Sequence, residues 1–396
     1  MGGLLEGVRI LDLSQMLSGP YTTMVLGDMG AEIIKIEEPG EGDRTRTMPH
    51  HHFGGLSGYY ISINRNKKSV TLDLKVPEAR EVFYDLVRNA DVVFDNFRPG
   101  VLERLKIDYE TLRKVKKDII SVSITAFGYD GPYKDLPAFD LTIQAIGGAM
   151  GVTGEPGGAP VRLGLPMGDI AGAVFASNAV TAALFKKAKT GEGSRVDVSL
   201  LDALVSMHVY VAQYVLQGGE VPGPVGSGHQ SVVPYRAFRG GDGEWFVIAV
   251  FTEKFWGLFC KMLGIEGLEK DPRFFDNPHR CVNREALFQI LEEEFEKKPA
   301  AEWLKMLDKA GVPAAPINRL DKTLTDPQIL QRKMVVEMEI PGSGKVKTMG
   351  NPVKVLGEHE HFAAPAQLGQ HTEEVLHGLL GYSNEKIAGL RGKKAI

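Results

Sequence analysis

The chain has 396 residues, 43% of them hydrophobic and 24% charged, with a formal net charge of −4 at pH 7. That length exceeds what one hydrophobic core usually serves, so two domains are expected, and the acidic balance argues against a general nucleic-acid binder. Two cysteines, Cys260 and Cys281, supply neither a disulfide framework nor a metal-ligand spacing, and they suit a reducing, cytoplasmic compartment.

The first third of the chain alternates two periodicities. The runs "VRILDL", "AEIIKIE", "SVTLDL", "DVVFDNF" and "IISVSITAF" read as short strands buried on both faces. Between them, "YTTMVLGDMG" and "PEAREVFYDLVRNA" carry helical patterns, with Pro20 and Pro77 at first-turn positions, where a missing N–H costs little. Strand–helix alternation predicts an α/β fold with a parallel, doubly wound, Rossmann-like sheet. A strand pattern beginning at Val8 leaves no room for a signal peptide, and no apolar run is expected to span a membrane.

A long helix is expected after Asp169, ending in the Lys-rich "KKAKTGEG", where Gly191 can stop it. "SRVDVSLLDALVSMHVYVAQYVL" predicts a strand and a further apolar helix, and "QGGEVPGPVGSGHQ" a linker. The texture then changes. "VPYRAFRGGDGEWFVIAV" predicts two strands around a turn, followed by helical "TEKFWGLFCKMLG" and "NREALFQILEEEFEKKPAAEWLKMLDKAG". "GVPAAPIN" leads into a tail with a strand, "MVVEMEI", and a final helix around Thr372 to Leu380. The expected organisation is residues 1–205 as the first part of a large domain, 206–232 as a linker helix and loop, 233–320 as a small α+β domain, and 321–396 as a return linker completing the large domain.

No complete dinucleotide fingerprint or P-loop is present; "GSGKV" at 342–346 lacks the upstream glycine and the following hydroxyl residue. The loop "SQMLSGPY" lies where open α/β sheets bind ligands, beyond the carboxyl end of the first strand and before a helix N-terminus. Arg65, Lys67, Lys68 and Lys75 surround one strand, and Arg98 and Arg104 follow another; they would suit a ligand with several phosphates, or equally a solvated surface. The run His50–His52 has no acid or cysteine suitably spaced for a metal, so no metal is expected. Asp169 has two readings. It can cap the helix that follows, the free N–H groups lowering its pKa and keeping it ionised. It can also be a nucleophile toward an activated acyl group, with Gly164, Gly168 and Gly172 allowing a substrate to approach.

The stretches "LEGVRILDLSQMLSGPYTTMVLGDMGAEIIKIEEPGEGDRTR", "NRNKKSVTLDLK", "DVVFDNFRPGVLERL", "FDLTIQAIGGAMGVTG", "GDIAG", "VDVSLLDAL", "PYRAF…DG", "GVPAAPIN" and "LGQHTEEVL" together resemble the class III CoA-transferases, the family that includes formyl-CoA and crotonobetainyl-CoA transferases. The resemblance runs in order over nearly the whole chain. It implies Asp169 as catalytic nucleophile, no permanently bound cofactor, coenzyme A as part of the substrate, and an interlocked, ring-like homodimer. Contacts to CoA are implied for Gln15, Met16, Leu72, Lys75, Asn96, Phe97, Arg104 and Leu105. Contacts to the acyl group or acceptor are implied for Leu17, Phe139, Asp140, His229 and Arg162, with Arg65 a further carboxylate holder. Glu38 stands where some members have a phosphate-binding arginine, which Arg44 or Arg46 could replace. "GSGHQSVVPYRAF" and "PVRLG" resemble members that take succinyl-CoA as donor and a dicarboxylate or hydroxy-dicarboxylate as acceptor; formate and oxalate are expected to be poor substrates, because Leu17 replaces a polar residue and a glycine-rich loop is missing. Two alternatives remain. A 2-methylacyl-CoA racemase of the same fold needs a second base, and its histidine falls at Phe139. A CoA-binding protein without catalysis would have no need of an acid at Asp169.

Overall fold

The computed structural model describes residues 3–265, 267–357 and 359–396. They form two units: residues 3–149, 163–209 and 327–396, Glu358 excepted, make the first, and residues 150–162 and 210–326, Glu266 excepted, the second.

The first unit is built on a six-stranded sheet. Its strands are β1 (Arg9–Asp12), β2 (Glu32–Glu37), β3 (Lys67–Thr71), β4 (Val92–Asp95), β5 (Ile120–Thr125) and β6 (Ser194–Ser199). Every pairing is parallel, and the spatial order is β3-β2-β1-β4-β5-β6. This is the doubly wound Rossmann order, whose direction reverses between β1 and β4. Alternation along each strand feeds two cores. Leu11, Ile34 and Val93 pack on one face with α2 (Pro77–Arg88) and the C-terminal helices. Ile10, Ile33, Val92 and Phe94 pack on the other, with α1 (Ser18–Asp28) and α4 (Met167–Thr190).

α4 is long and apolar enough, by length and composition, to cross a membrane, contrary to the reading of the sequence. In this fold its small residues Ala173, Ala176, Val180 and Ala183 pack into the core beside the sheet. Its stop is as expected: Gly191 takes a left-handed φ of 70° and returns its N–H to Lys187 O. Other elements differ. The third strand starts two residues early, at Lys67, so Leu72–Lys75 become a turn at its carboxyl end. The apolar helix after β6 is two pieces, Leu200–Ser206 and Val209–Leu216. The helix at Thr372–Gly378 is followed by another, Asn384–Gly392. "GSGKV" spans the turn and first residues of a two-stranded hairpin, Val335–Ile340 with Gly344–Met349.

The second unit carries a three-stranded antiparallel sheet, with Trp245–Ala249 between Tyr235–Arg239 and Ala314–Pro316. Helices Glu253–Leu263, Arg284–Phe295 and Ala300–Ala310 cover it around Trp256, Phe295 and Trp303. The indole N–H of Trp303 donates to Phe295 O at 2.9 Å.

Candidate active site

The loop after β1 is held by buried charge. The Asp12 carboxylate accepts from Ser14 N (2.9 Å), Thr23 Oγ1 (2.6 Å) and Lys67 Nζ (3.1 Å). Burial alone would raise its pKa; Lys67 and Lys35 more than offset that and hold it well below the usual carboxylate range. Burial in turn lowers Lys67 to about 8, with Asp12 opposing the fall and Lys35 adding to it. Lys35 pairs with Asp43 at 2.9 Å and donates to Ser14 O at 2.6 Å, and Asp43 accepts Met16 N at 3.3 Å. Met16 sits at a φ of 68°, a strain the surrounding bonds must hold. Gly19 is required by close approach: a Cβ there would lie 2.2 Å from Ser14 Cβ.

This loop meets the end of β4 at the point where strand order reverses. Gln15 N donates to Asn96 Oδ1 (2.9 Å), and Asn96 Nδ2 returns to Gln15 O (2.7 Å). Beneath, the buried Asp95 accepts Phe97 N at 3.0 Å and the Ser123 hydroxyl at 2.7 Å; burial pushes it up to about 7. Beside the Gln15–Asn96 bridge lies a cleft of about 470 Å³, lined by Gln15, Leu72, Lys75, Phe97, Arg104 and Leu105 among others. Six of the eight residues expected to touch CoA line it, and Met16 and Asn96 join through the loop. A second cavity, about 650 Å³, lies at the amino ends of β1 to β3, the end where open parallel sheets do not bind ligands.

Asp169 is the third residue of α4, and Pro166 holds the N-cap position, so Asp169 is not the cap. The capping carboxylate comes from α3 (Asp140–Ile146): Asp140 Oδ1 accepts Gly168 N (2.8 Å) and Asp169 N (3.3 Å), and Gln144 Nε2 holds Oδ2 at 2.7 Å. A Cβ on Gly168 would stand 2.9 Å from Ile143 and 3.1 Å from Asp140 Oδ1, so this glycine admits the cap. Gly172 likewise makes room for Leu200, 2.3 Å from where its Cβ would lie, rather than for a substrate. The donors expected to keep Asp169 ionised therefore serve Asp140. Burial and then the Asp140 charge push the Asp169 carboxyl up to about 7, with the Ser18 hydroxyl opposing. The Tyr59 hydroxyl, which the sequence did not single out, is raised by partial burial first and by the Asp169 charge next.

The other expected residues divide. Leu17 precedes α1 and is half-buried; Phe139 precedes α3 and is exposed. Arg162 and His229 belong to the second unit. There Ser231 N donates to His229 Nδ1 (3.0 Å), which makes Nε2 the protonated nitrogen, and Nε2 meets the Tyr210 hydroxyl at 3.1 Å. Both ring nitrogens are thus engaged within the second unit. Arg65 is buried against Asp28 at 2.6 Å, Lys67 against Asp12, and Lys68 bridges Glu32 and Glu374. None of these three cations is free for phosphate. Arg46 is also spent, on Glu37 at 2.6 Å and Ala366 O at 3.0 Å, leaving Arg44 exposed. Among the described residues no cluster of His, Cys, Asp or Glu could hold a metal ion.

The model of the family described as "CoA-transferase family III" matches residues 5–372. The chain belongs to CoA-transferase family III. It is 38% identical over 387 residues to succinyl-CoA:glutarate CoA-transferase of Homo sapiens, covering 98% of this chain and 88% of that protein. It is 38% identical over 367 residues to acetyl-CoA:oxalate CoA-transferase of Acetobacter aceti, covering 92% of each. The crystal structure of a CAIB/BAIF family protein from Brucella suis superposes with a TM-score of 0.84 at 34% identity, covering 96% of this chain and all of that one. In this CoA-transferase a cleft of about 470 Å³ lies at the carboxyl edge of the sheet, and a carboxylate of raised pKa stands near the start of α4.

Proposed function

We propose that this CoA-transferase moves CoA from succinyl-CoA to a free dicarboxylate through Asp169. What carries the reading is Asp169 at the head of α4, flanked by Ser18 from the end of the cleft's own loop. The ionised carboxylate attacks the thioester carbonyl, giving a mixed anhydride and CoA thiolate. The thiolate attacks the Asp169 carbonyl, releasing succinate and leaving an aspartyl-CoA thioester. The acceptor carboxylate attacks that thioester, expelling thiolate, and the thiolate then takes the acceptor's acyl group and frees Asp169. A carboxylate is a weak nucleophile; anchoring CoA by its nucleotide supplies proximity. The raised pKa makes Asp169 a better nucleophile once ionised. Gln15, Met16, Leu72, Lys75, Asn96, Phe97, Arg104 and Leu105 are the proposed CoA contacts, and Leu17 and Phe139 border the acyl group.

The human relative's name supports a glutarate-like acceptor, and the Acetobacter relative's name keeps oxalate among those to test, despite the expectation against it. The assay is succinyl-CoA with a panel of dicarboxylates, followed by mass spectrometry of new acyl-CoA. New glutaryl-CoA supports the reading; no exchange with any acid, and deuterium uptake by a 2-methylacyl-CoA instead, overturns it. Against that racemase stands Phe139, which cannot take a proton, and Asp140, whose oxygens already accept the α4 N–H groups and Gln144. Exposed apolar residues on α4 (Val174, Phe175, Phe185) and a Val209–Leu216 helix with no buried residue support a homodimer, read by light scattering.

A pH profile follows. An acid whose pKa is raised is neutral below it, so kcat/KM for succinyl-CoA should climb as pH rises through about 7. Asp140→Asn removes the like charge and should move the midpoint down. Asp95 titrates in the same range, but that substitution leaves its surroundings alone, so a midpoint that stays put would assign the profile elsewhere.

A further inference from the structure

The cleft that takes the nucleotide has little free positive charge. Of its lining cations, Arg80 is turned back on the chain, donating to Leu74 O (3.0 Å) and Lys75 O (2.9 Å). Lys75 is held by Glu38 at 2.6 Å. Arg104 lines the same cleft, exposed, with no carboxylate partner among the described residues. Against these stand the carboxylates of Glu38 and Asp73 in the lining, Glu37 there being neutralised by Arg46. The nucleotide end of CoA carries a diphosphate and a separate phosphate on the ribose 3′ oxygen. Within the lining, the Arg104 guanidinium can serve the first, and the cation left for the second, Lys75, is already held by Glu38.

Glu38 also occupies a telling place in the fold. It follows β2 directly, beside β1, at the carboxyl edge of the sheet. In doubly wound sheets an acid there, roughly twenty residues beyond the first loop, accepts hydrogen bonds from a ribose hydroxyl, whereas a cation nearby accommodates a ribose phosphate. A carboxylate placed there repels a phosphate and so works against a ligand that carries one at that position. The turn that carries Lys75 is set locally, with Lys75 N on Asp73 Oδ1 (3.0 Å) and Leu72 N on Glu37 O (2.8 Å), so the pair faces the cleft from two adjoining strand ends. Both side chains are exposed, and an exposed pair exchanges partners readily.

We propose that Glu38 is a specificity-determining residue at the ribose end of the cleft: by neutralising Lys75 it removes the advantage of the 3′-phosphate, so that the protein accepts 3′-dephospho-CoA and its thioesters nearly as well as CoA. This rests on the cleft being the CoA site. The test is calorimetric titration of the full chain with CoA and with 3′-dephospho-CoA, in wild type, Glu38→Gln, and Glu38→Gln combined with Lys75→Met. In wild type the two Kd values should lie within about tenfold of each other. Glu38→Gln should release Lys75 and raise the preference for CoA by about tenfold, and the double variant should return it to the wild-type value. A preference that Glu38→Gln leaves unchanged within about twofold, or a double variant that keeps the gain, overturns the inference. Binding of neither nucleotide overturns it together with the assignment of the cleft. Acyl transfer from succinyl-CoA is measured in parallel: if the Kd ratios move as stated but no exchange occurs, the inference stands and the transferase mechanism on Asp169 fails.

Discussion

Asparagine in place of Asp169 is expected to lower acyl exchange from succinyl-CoA by at least about a thousandfold, with the fold intact. The amide keeps the size of the side chain and can still accept from Ser18, but it cannot form the anhydride. The helix does not depend on it, because Asp140 caps α4. Stability should move the other way from activity. The folded Asp169 carboxyl titrates at about 7, above its ordinary 3.8, so the folded state holds a proton that the unfolded chain releases between those values. Wild-type stability is therefore lost as pH rises from about 4 to 7. The amide does not titrate, so Asp169→Asn should match the wild type near pH 4 and exceed it at pH 8. Thermal melts at the two pH values, beside the exchange assay, read both effects. Residual activity above a few per cent would remove Asp169 from the chemistry.

Lys67→Met is expected to be the most destabilising of the single changes considered. It removes a buried ammonium whose partner, Asp12, is itself wholly buried. Asp12 then keeps only Lys35, which is itself paired with Asp43; breaking a buried pair costs about 3–5 kcal/mol, which for a domain of this size lowers Tm by roughly 10 °C. Adding Asp12→Asn should recover much of that loss, since the orphan charge is then gone and Thr23 and Ser14 keep hydrogen-bonding partners. The loop carrying Gln15 and Met16 rests on this network, so the single variant should also weaken CoA binding. If Lys67→Met melts with the wild type, the charge network is not what holds the loop.

The sheet was readable because its strands are buried on both faces. Parallel strands of that kind appear as near-continuous apolar runs, as in "VVFD", while "EIIKIE" buries Lys35 and Glu37 among its isoleucines. The long α4 was readable from the Gly168–Asp169 pair in its first turn and its stop at Gly191. The roles of charges were less so. Arg65, Lys67 and Lys68 look like a phosphate patch in sequence, and only the sheet brings Asp28, Asp12 and Glu32 against them from 37, 55 and 36 residues away. Asp169 presents the same difficulty. An acid at a helix start reads as a cap, yet the cap comes from another helix, across the gap that Gly168 leaves. That exchange turns a carboxylate expected to be strongly acidic into one held near neutrality. The Glu38–Lys75 pair is equally non-local, joining the ends of two neighbouring strands.

The most direct test is the mass of the protein itself after brief mixing with succinyl-CoA and no acceptor. The mechanism predicts a covalent CoA adduct that maps to the peptide containing Asp169, disappears when glutarate is added, and is missing in Asp169→Asn. Glutaryl-CoA formation with no adduct on that peptide, and undiminished in Asp169→Asn, would contradict it.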